Sequence, residues 1–354
     1  MKAQKSATVL KSNKRANDVF RVSASLLLGG LILYWMYRDF DFRSVSGVLL
    51  HGMDWTWMLL SLPFGILAQA FRGWRWHMTL DPMGEKSRKS VCINAIFLSY
   101  AMSLVVPRVG EFARCAVLNR CDRVSFAKSL GTVVTERVID SLLLLLIAAA
   151  AFLWQFGAFE RFFSTTGTNV GAILGRFTAT GYIVTGICAL AAVLLCWFLR
   201  KRIAVYTKMK SVVDGVWQGI VSVRHVRSLP LYALFTVAIW ASYFLHYYLT
   251  FFSFPALSGA GFACAFATFI VGSIAVIVPT PNGAGPWHFA VKTMLVLYGI
   301  ASESALYFVL IVHAVQTLLV VLLGVYAWIA LSLARRTEEG IATVATCNEE
   351  TITK

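Results

Sequence analysis

Of 354 residues, 58% are hydrophobic and 14% charged, where soluble proteins carry about 25% charged residues. That balance excludes a soluble enzyme and points to an all-α polytopic membrane protein. The net charge of +15 fits basic loops gathered on one side of a bilayer, and no basic domain stands free of the membrane to bind nucleic acid.

In chain order, residues 1–19 form a basic segment. Lys2, Lys5, Lys11, Lys14 and Arg15 precede the first apolar run without a convincing cleavage site, so no removable signal is expected. Runs long enough to span come next, at about 20–37 and 55–71. The second closes on Arg72-Gly-Trp-Arg75-Trp76-His77, a basic and aromatic cluster typical of helix anchoring at an interface, or a first stop for a lipid headgroup. An apolar stretch at about 91–107 then breaks at Pro107 and Gly110, and residues 108–128 are too charged to span. A third span, about 130–154, carries Thr135-Glu136-Arg137 and Asp140 near its start.

The loop 155–179 is weakly charged, a fourth span covers about 180–199, and 200–228 is basic, with an amphipathic helix expected over 203–227. A fifth span at about 229–253 leads to an uncharged loop, 254–262, and an apolar stretch at about 263–278. That stretch ends at Pro279, Pro281, Gly283 and Gly285; beyond Pro286 the chain stays apolar for only about 13 residues before Gly299. The sixth span, about 304–333, would reach about 45 Å as a helix, and residues 334–354 are a polar tail.

Charge placement chooses between full crossings and re-entrant hairpins at the two breaks. Short loops rich in Lys and Arg stay cytoplasmic. If both breaks are re-entrant, every basic loop falls inside, both weakly charged loops fall outside, and both termini are cytoplasmic. If the first crossed fully, the basic stretch 108–128 would lie outside. The expectation is therefore six spanning helices plus two re-entrant hairpins, forming an inverted repeat with halves at about 20–154 and 180–333 in the cytoplasmic (inner) membrane. Backbone freed by such breaks must be satisfied by protein or a water-filled cavity, and paired interrupted segments point to a transport site near the midplane.

The residues expected to act sit around those breaks. Arg108 follows the breaking proline and could fork onto a phosphate, with Arg114 as a second contact; otherwise both reach out to headgroups. Glu136 and Asp140, four apart on one helical face, either line a polar cavity with Glu111 and share a proton, or belong to an internal pair with Arg137. In the second hairpin, the amides around Thr280, Asn282, Gly283 and Gly285 could meet an anion or satisfy one another. His288 and Lys292 make a basic pair one turn apart, Trp287 suits an interface, and His313 with Gln316 share a face of the last span. Pro107, Gly110, Pro279, Pro281, Gly283 and Gly285 are the expected turn and hinge positions. Seven cysteines show no metal or redox spacing and read as small apolar fillers. No cofactor or metal motif appears.

Arg72–Trp76, Pro107-Arg-Val-Gly-Glu-Phe-Ala-Arg114, Thr135-Glu-Arg137 with Asp140, and Pro279 to Gly285 together resemble the lysylphosphatidylglycerol synthase transmembrane-region family, a flippase-like group, over about 20–333. In its two-domain members a membrane flippase moves aminoacylated phosphatidylglycerol that a soluble carboxy-terminal domain makes. The resemblance implies roles for Arg108, Glu111, Arg114, Glu136, Arg137 and Asp140. No polar stretch here is long enough for such a synthase domain, so neither that activity nor a lysyl-lipid substrate is expected to carry over. The expectation is a lipid translocase for a phospholipid or polyprenyl phosphate lipid, working with no cofactor and with a separate lipid-modifying enzyme as a candidate partner. Its rivals are a membrane-embedded transferase or accessory subunit acting on lipid-linked sugar or aminoacyl lipid, and a scaffold.

Overall fold

The computed structural model describes residues 43–165, 221–278 and 280–352, with positions 27, 30–34, 36–38, 213, 214, 217 and 218 besides. The expected span at 180–199 and the hinge residue Pro279 lie outside the described residues, as do most of 20–37 and of the basic segment 200–228.

A short helical turn, Arg43–Gly47, runs into a π-helical turn, Val48–Gly52. Helix α1, Trp55–Leu80, starts where the Asp54 carboxylate accepts from the Thr56 amide at 2.8 Å. It continues well past residue 71, the end expected from hydropathy. The arginines that closed the apolar run are buried against partners instead of facing an interface, so nothing stops the helix before Asp81-Pro82 and Gly84 at φ +71°.

Helices α2, Lys89–Val105, and α3, Val109–Asp122, form a helical hairpin. Proline disfavours helix in the residue before it, and Val106 is accordingly extended at φ −131°, ψ 115°. Arg108 then turns the chain at φ +65°, an uncommon conformation for a side-chain-bearing residue. The two arms touch because residue 110 is glycine: a Cβ there would lie 1.9 Å from the Ser99 carbonyl oxygen.

Helix α4, Phe126–Trp154, has Asp140 at its midpoint. Helix α5, Phe156–Thr165, begins the segment expected as a loop; its apolar residues fall on one face, so it packs on α4 and α8. Helix α6 is Leu229–Phe252. Helices α7, Gly261–Ala275, and α8, Pro286–Leu297, make a second hairpin around the turn Pro281–Gly283, and α9 runs from Ser302 to Ile352.

Of the described helices, Phe126–Trp154, Leu229–Phe252 and Ser302–Ala334 are long and apolar enough to cross a membrane. Helices α2 and α7 are apolar but, at about 25 and 22 Å, shorter than a hydrocarbon core of about 30 Å. The molecule is apolar outside and charged inside. Only 11% of the most apolar window of α4 and 28% of those of α6 and α9 are buried in protein, and Leu142, Leu145, Leu318 and Leu322 face outward. Arg72, Arg75, Arg114, Glu136 and Asp140 are buried. Such a surface is stable only in lipid.

The helices pack in matching couples: α1 with α2 and α6 with α7, α2 with α3 and α7 with α8, α3 with α4 and α8 with α9. Two crossed couples, α2 with α9 and α7 with α4, tie the front of the chain to the back, and α1 packs closely along α6. At the α2–α9 crossing Gly324 lies so near Ala101 that a Cβ on it would come within 2.2 Å of the alanine methyl.

A polar cavity where the two hairpin tips meet

Helix α4 presents Glu136 and Asp140 on one face, and α1 and α3 bring arginines to them. Arg72 Nη1 donates to Glu136 Oε1 at 2.5 Å and to Asp140 Oδ2 at 2.7 Å. Arg114 Nη1 donates to Glu136 Oε2 at 2.9 Å. Arg75 Nη2 lies 2.8 Å from Asp140 Oδ1, off the hydrogen-bonding axis, while its Nη1 donates to Thr236 Oγ1 at 3.1 Å. Arg75 and Arg114 are 1% exposed and Glu136 4%. Every oxygen of Glu136 and Asp140 faces a guanidinium nitrogen, so the two acids hold arginines. The Arg137–Asp140 couple weighed from sequence is the loosest contact here, at 3.9 Å; Arg137 instead reaches Glu136 at 3.1 Å and stands 3.4 Å from Glu111.

Beside this cluster lies a cavity of about 510 Å³ lined by both hairpin tips. Pro107, Arg108, Glu111 and Arg114 come from the first, and Val276 to Val278, Thr280, Asn282 and Gly283 from the second. The tips touch: Arg108 Nη2 donates to the Ile277 carbonyl at 3.3 Å. The cavity and the wall behind it hold five arginines (72, 75, 108, 114 and 137) against three carboxylates (111, 136 and 140), an excess of positive charge. Arg114 lies over the Trp76 ring at 4.7 Å, and its Nε and Nη2 make no hydrogen bond among the described residues. Tyr100, whose hydroxyl is 2.8 Å from that of Tyr243, adds a polar edge. A phosphate or carboxylate is the chemistry such a wall accommodates, through forked donors in a partly dry site.

Part of the second tip's backbone is spent within the tip. The Gly283 amide donates to the Thr280 carbonyl at 3.2 Å and Ala284 to Pro281 at 2.9 Å. Asn282, at φ +52°, donates from Nδ2 to Thr317 Oγ1 at 2.8 Å and accepts at its carbonyl from His313 Nε2 at 3.1 Å. The partner of His313 on α9 is thus Thr317, not Gln316.

Arg108, Glu111, Arg114, Arg137, Asn282, Pro107 and Gly283 line the cavity, with Glu136 and Asp140 behind it. Pro281 opens the turn beside Asn282, Gly110 lies between the hairpin arms, and Gly285 caps α8 at φ +90°. His288, buried, lines a different cavity with His313; Lys292 and Gln316 are half-buried and line neither. Trp287 packs inward against Tyr247 and His313. Sequence reasoning missed Arg72 and Arg75 as members of the charge cluster. Two arginines three apart on one helical face need two acids on another, and Glu136 with Asp140 supply them. Cys92, Cys115 and Cys264 are buried free thiols, and among the described residues no three His, Cys, Asp or Glu side chains converge as metal ligands.

An apolar exterior, a charged interior and two broken helical hairpins around one basic cavity define a polytopic α-helical membrane protein with a built-in polar site. The model of the lysylphosphatidylglycerol synthase TM region matches residues 22–324. The chain belongs to that family, whose membrane domain is linked to lipid modification or translocation. No curated protein and no solved structure matches it.

Proposed function

We propose that the protein is a flippase-like lipid translocase that moves a phosphate-bearing lipid between the leaflets of the cytoplasmic membrane. The observation that carries this reading is the meeting of both hairpin tips across a cavity with excess arginine. Arg108 and Arg114 hold the phosphate. Glu136 and Asp140 keep Arg72, Arg75 and Arg114 ionised and aimed, and Glu111 with Arg137 forms the rim. The shortness of α2 and α7 supports re-entrant hairpins, and the basic loops favour entry from opposite sides. The matching helix couples support two inverted halves, about 20–154 and 180–333, which offer near-equivalent states open to either face. The basic loops support a topology with both termini, the 200–228 segment and the 334–354 tail in the cytoplasm.

The test is leaflet exchange in liposomes across a panel of labelled phospholipids and polyprenyl phosphates. The protein accelerates exchange of at least one, and Arg108→Ala slows that exchange while leaving the melting temperature nearly unchanged, because Arg108 is exposed and makes one long contact. Equal rates in the two proteins remove Arg108 from the mechanism. Chemical conversion of the lipid by purified protein, without movement, replaces the translocase with a transferase.

A further inference from the structure

Behind the first cavity the oxygens of Glu136 and Asp140 all face arginines, but the second tip is built otherwise. His288, in the first turn of α8, and His313, on α9, abut with ring centroids 4.4 Å apart and planes tilted by 53°. Both line a second cavity, of about 550 Å³.

Hydrogen-bond partners fix where the protons sit. The Asn282 carbonyl can only accept, so His313 Nε2 carries its hydrogen toward it. The Gly285 amide can only donate, so His288 Nδ1, at 3.4 Å, is a bare nitrogen and His288 is neutral. His313 Nδ1 stands 3.5 Å from Thr317 Oγ1, which already receives Asn282 Nδ2. A further proton on His288 Nδ1 sets two donors face to face at Gly285. On His313 Nδ1 it ends acceptance from the Thr317 hydroxyl, whose hydrogen must then turn away. Either way a neutral acceptor in the hydrogen-bond network around Asn282–Gly285 becomes a charged donor.

We infer that His288 and His313 form a proton-binding site, and that one proton taken up there releases the second hairpin tip from α9. The surroundings couple the two events. Tyr34, Tyr37 and Arg38 face the pair from the first segment, with the Tyr37 ring 6.2 Å from His288. Trp287 abuts both rings at 5.4 and 5.5 Å, and Lys292 lies one turn further along α8. No carboxylate lines this cavity among the described residues. A charged imidazole gains no counter-ion where it stands, and two charged rings repel, so protonation is stable only once the tip moves and water enters. Because Asn282 and Gly283 also line the first cavity, release of the tip opens that cavity, whatever lipid it carries.

Thr280, 5% exposed in the first cavity wall, reports tip release. In the full chain carrying Thr280→Cys, reconstituted in liposomes, labelling by a water-soluble methanethiosulfonate is read by mass on the peptide containing residue 280. The rate is divided by that of an exposed reference, Gly259→Cys, measured alongside. The ratio rises on the order of tenfold from about pH 8 to about pH 5, a window in which histidine titrates. Adding His288→Asn and His313→Gln keeps an acceptor for Gly285 and a donor for Asn282 but removes both titrating rings; the ratio then stays low at every pH. A flat ratio with the native histidines, or the same rise without them, overturns the proposal. Should the double substitution not fold, the profile of Thr280→Cys with native histidines decides alone. Lipid exchange plays no part in the readout, so this test can fail while the translocase reading survives, and the reverse.

Discussion

The two hairpin tips occupy equivalent places in the packing and carry opposite chemistry. Behind the first, Glu136 and Asp140 stand four apart on α4 and clamp three arginines. Behind the second, His313 and Thr317 stand four apart at a similar depth along α9 and bind an asparagine and a backbone carbonyl. One pole is held by buried ion pairs, where removing a partner strands a charge at a cost of several kcal/mol. The other is held by neutral hydrogen bonds, each contributing about 0.5–1.5 kcal/mol net. Similar scaffolding thus supports a fixed charged wall and a wall that can let go.

The sharpest way to break this contrast is to remove an acid from the charged pole. Glu136→Ala leaves Arg72, Arg114 and Arg137 short of a partner, and we expect a loss of about 3–5 kcal/mol, read as a large fall in melting temperature in detergent or as failure to insert. An unchanged melt would mean the cluster is solvated. Next comes Gly110→Ala, whose methyl collides with the Ser99 carbonyl. Overpacking of this kind costs about 1–3 kcal/mol, and parting α2 from α3 slows lipid exchange beyond what the melt alone accounts for. At the neutral pole, Asn282→Ala removes one hydrogen bond to Thr317 and puts alanine at φ +52°, a loss of about 1–2 kcal/mol that should be visibly smaller than that of Glu136→Ala. A loss equal to that of Glu136→Ala would erase the distinction between the poles. Smallest is Lys128→Met, which breaks a 2.8 Å pair with Glu85 that lines neither cavity; partly exposed pairs of this sort contribute within about 1 kcal/mol, and exchange rates should not change.

Much of the fold was legible in the residues themselves. Apolar runs gave α4, α6 and the membrane part of α9 to within a few positions, because lipid imposes length and hydropathy together. Both hairpins were readable from Pro107 and the Pro/Gly cluster around 281–285, since proline fixes the conformation of its predecessor locally. Arg72 and Arg75 were misread as interfacial because a hydropathy window ends a span at its charges. It cannot tell that those charges meet Glu136 and Asp140, more than sixty residues along the chain. The separation of His288 from the arginine cavity was equally hidden. Which side of a helix faces which neighbour is decided by tertiary packing, here the tilted ring contact with His313 and the bond to Gly285.

Gly324 and Ala101 sit back to back where α9 crosses α2, main chain almost against main chain. On its other flank α2 contributes Ser99, Tyr100 and Ser103 to the basic cavity. A leucine at 324 would therefore behave as a remote lesion: it touches no ligand-facing atom, yet by levering one rod off the other it would reshape the chamber, and a genetic screen would score it alongside damage to the arginines.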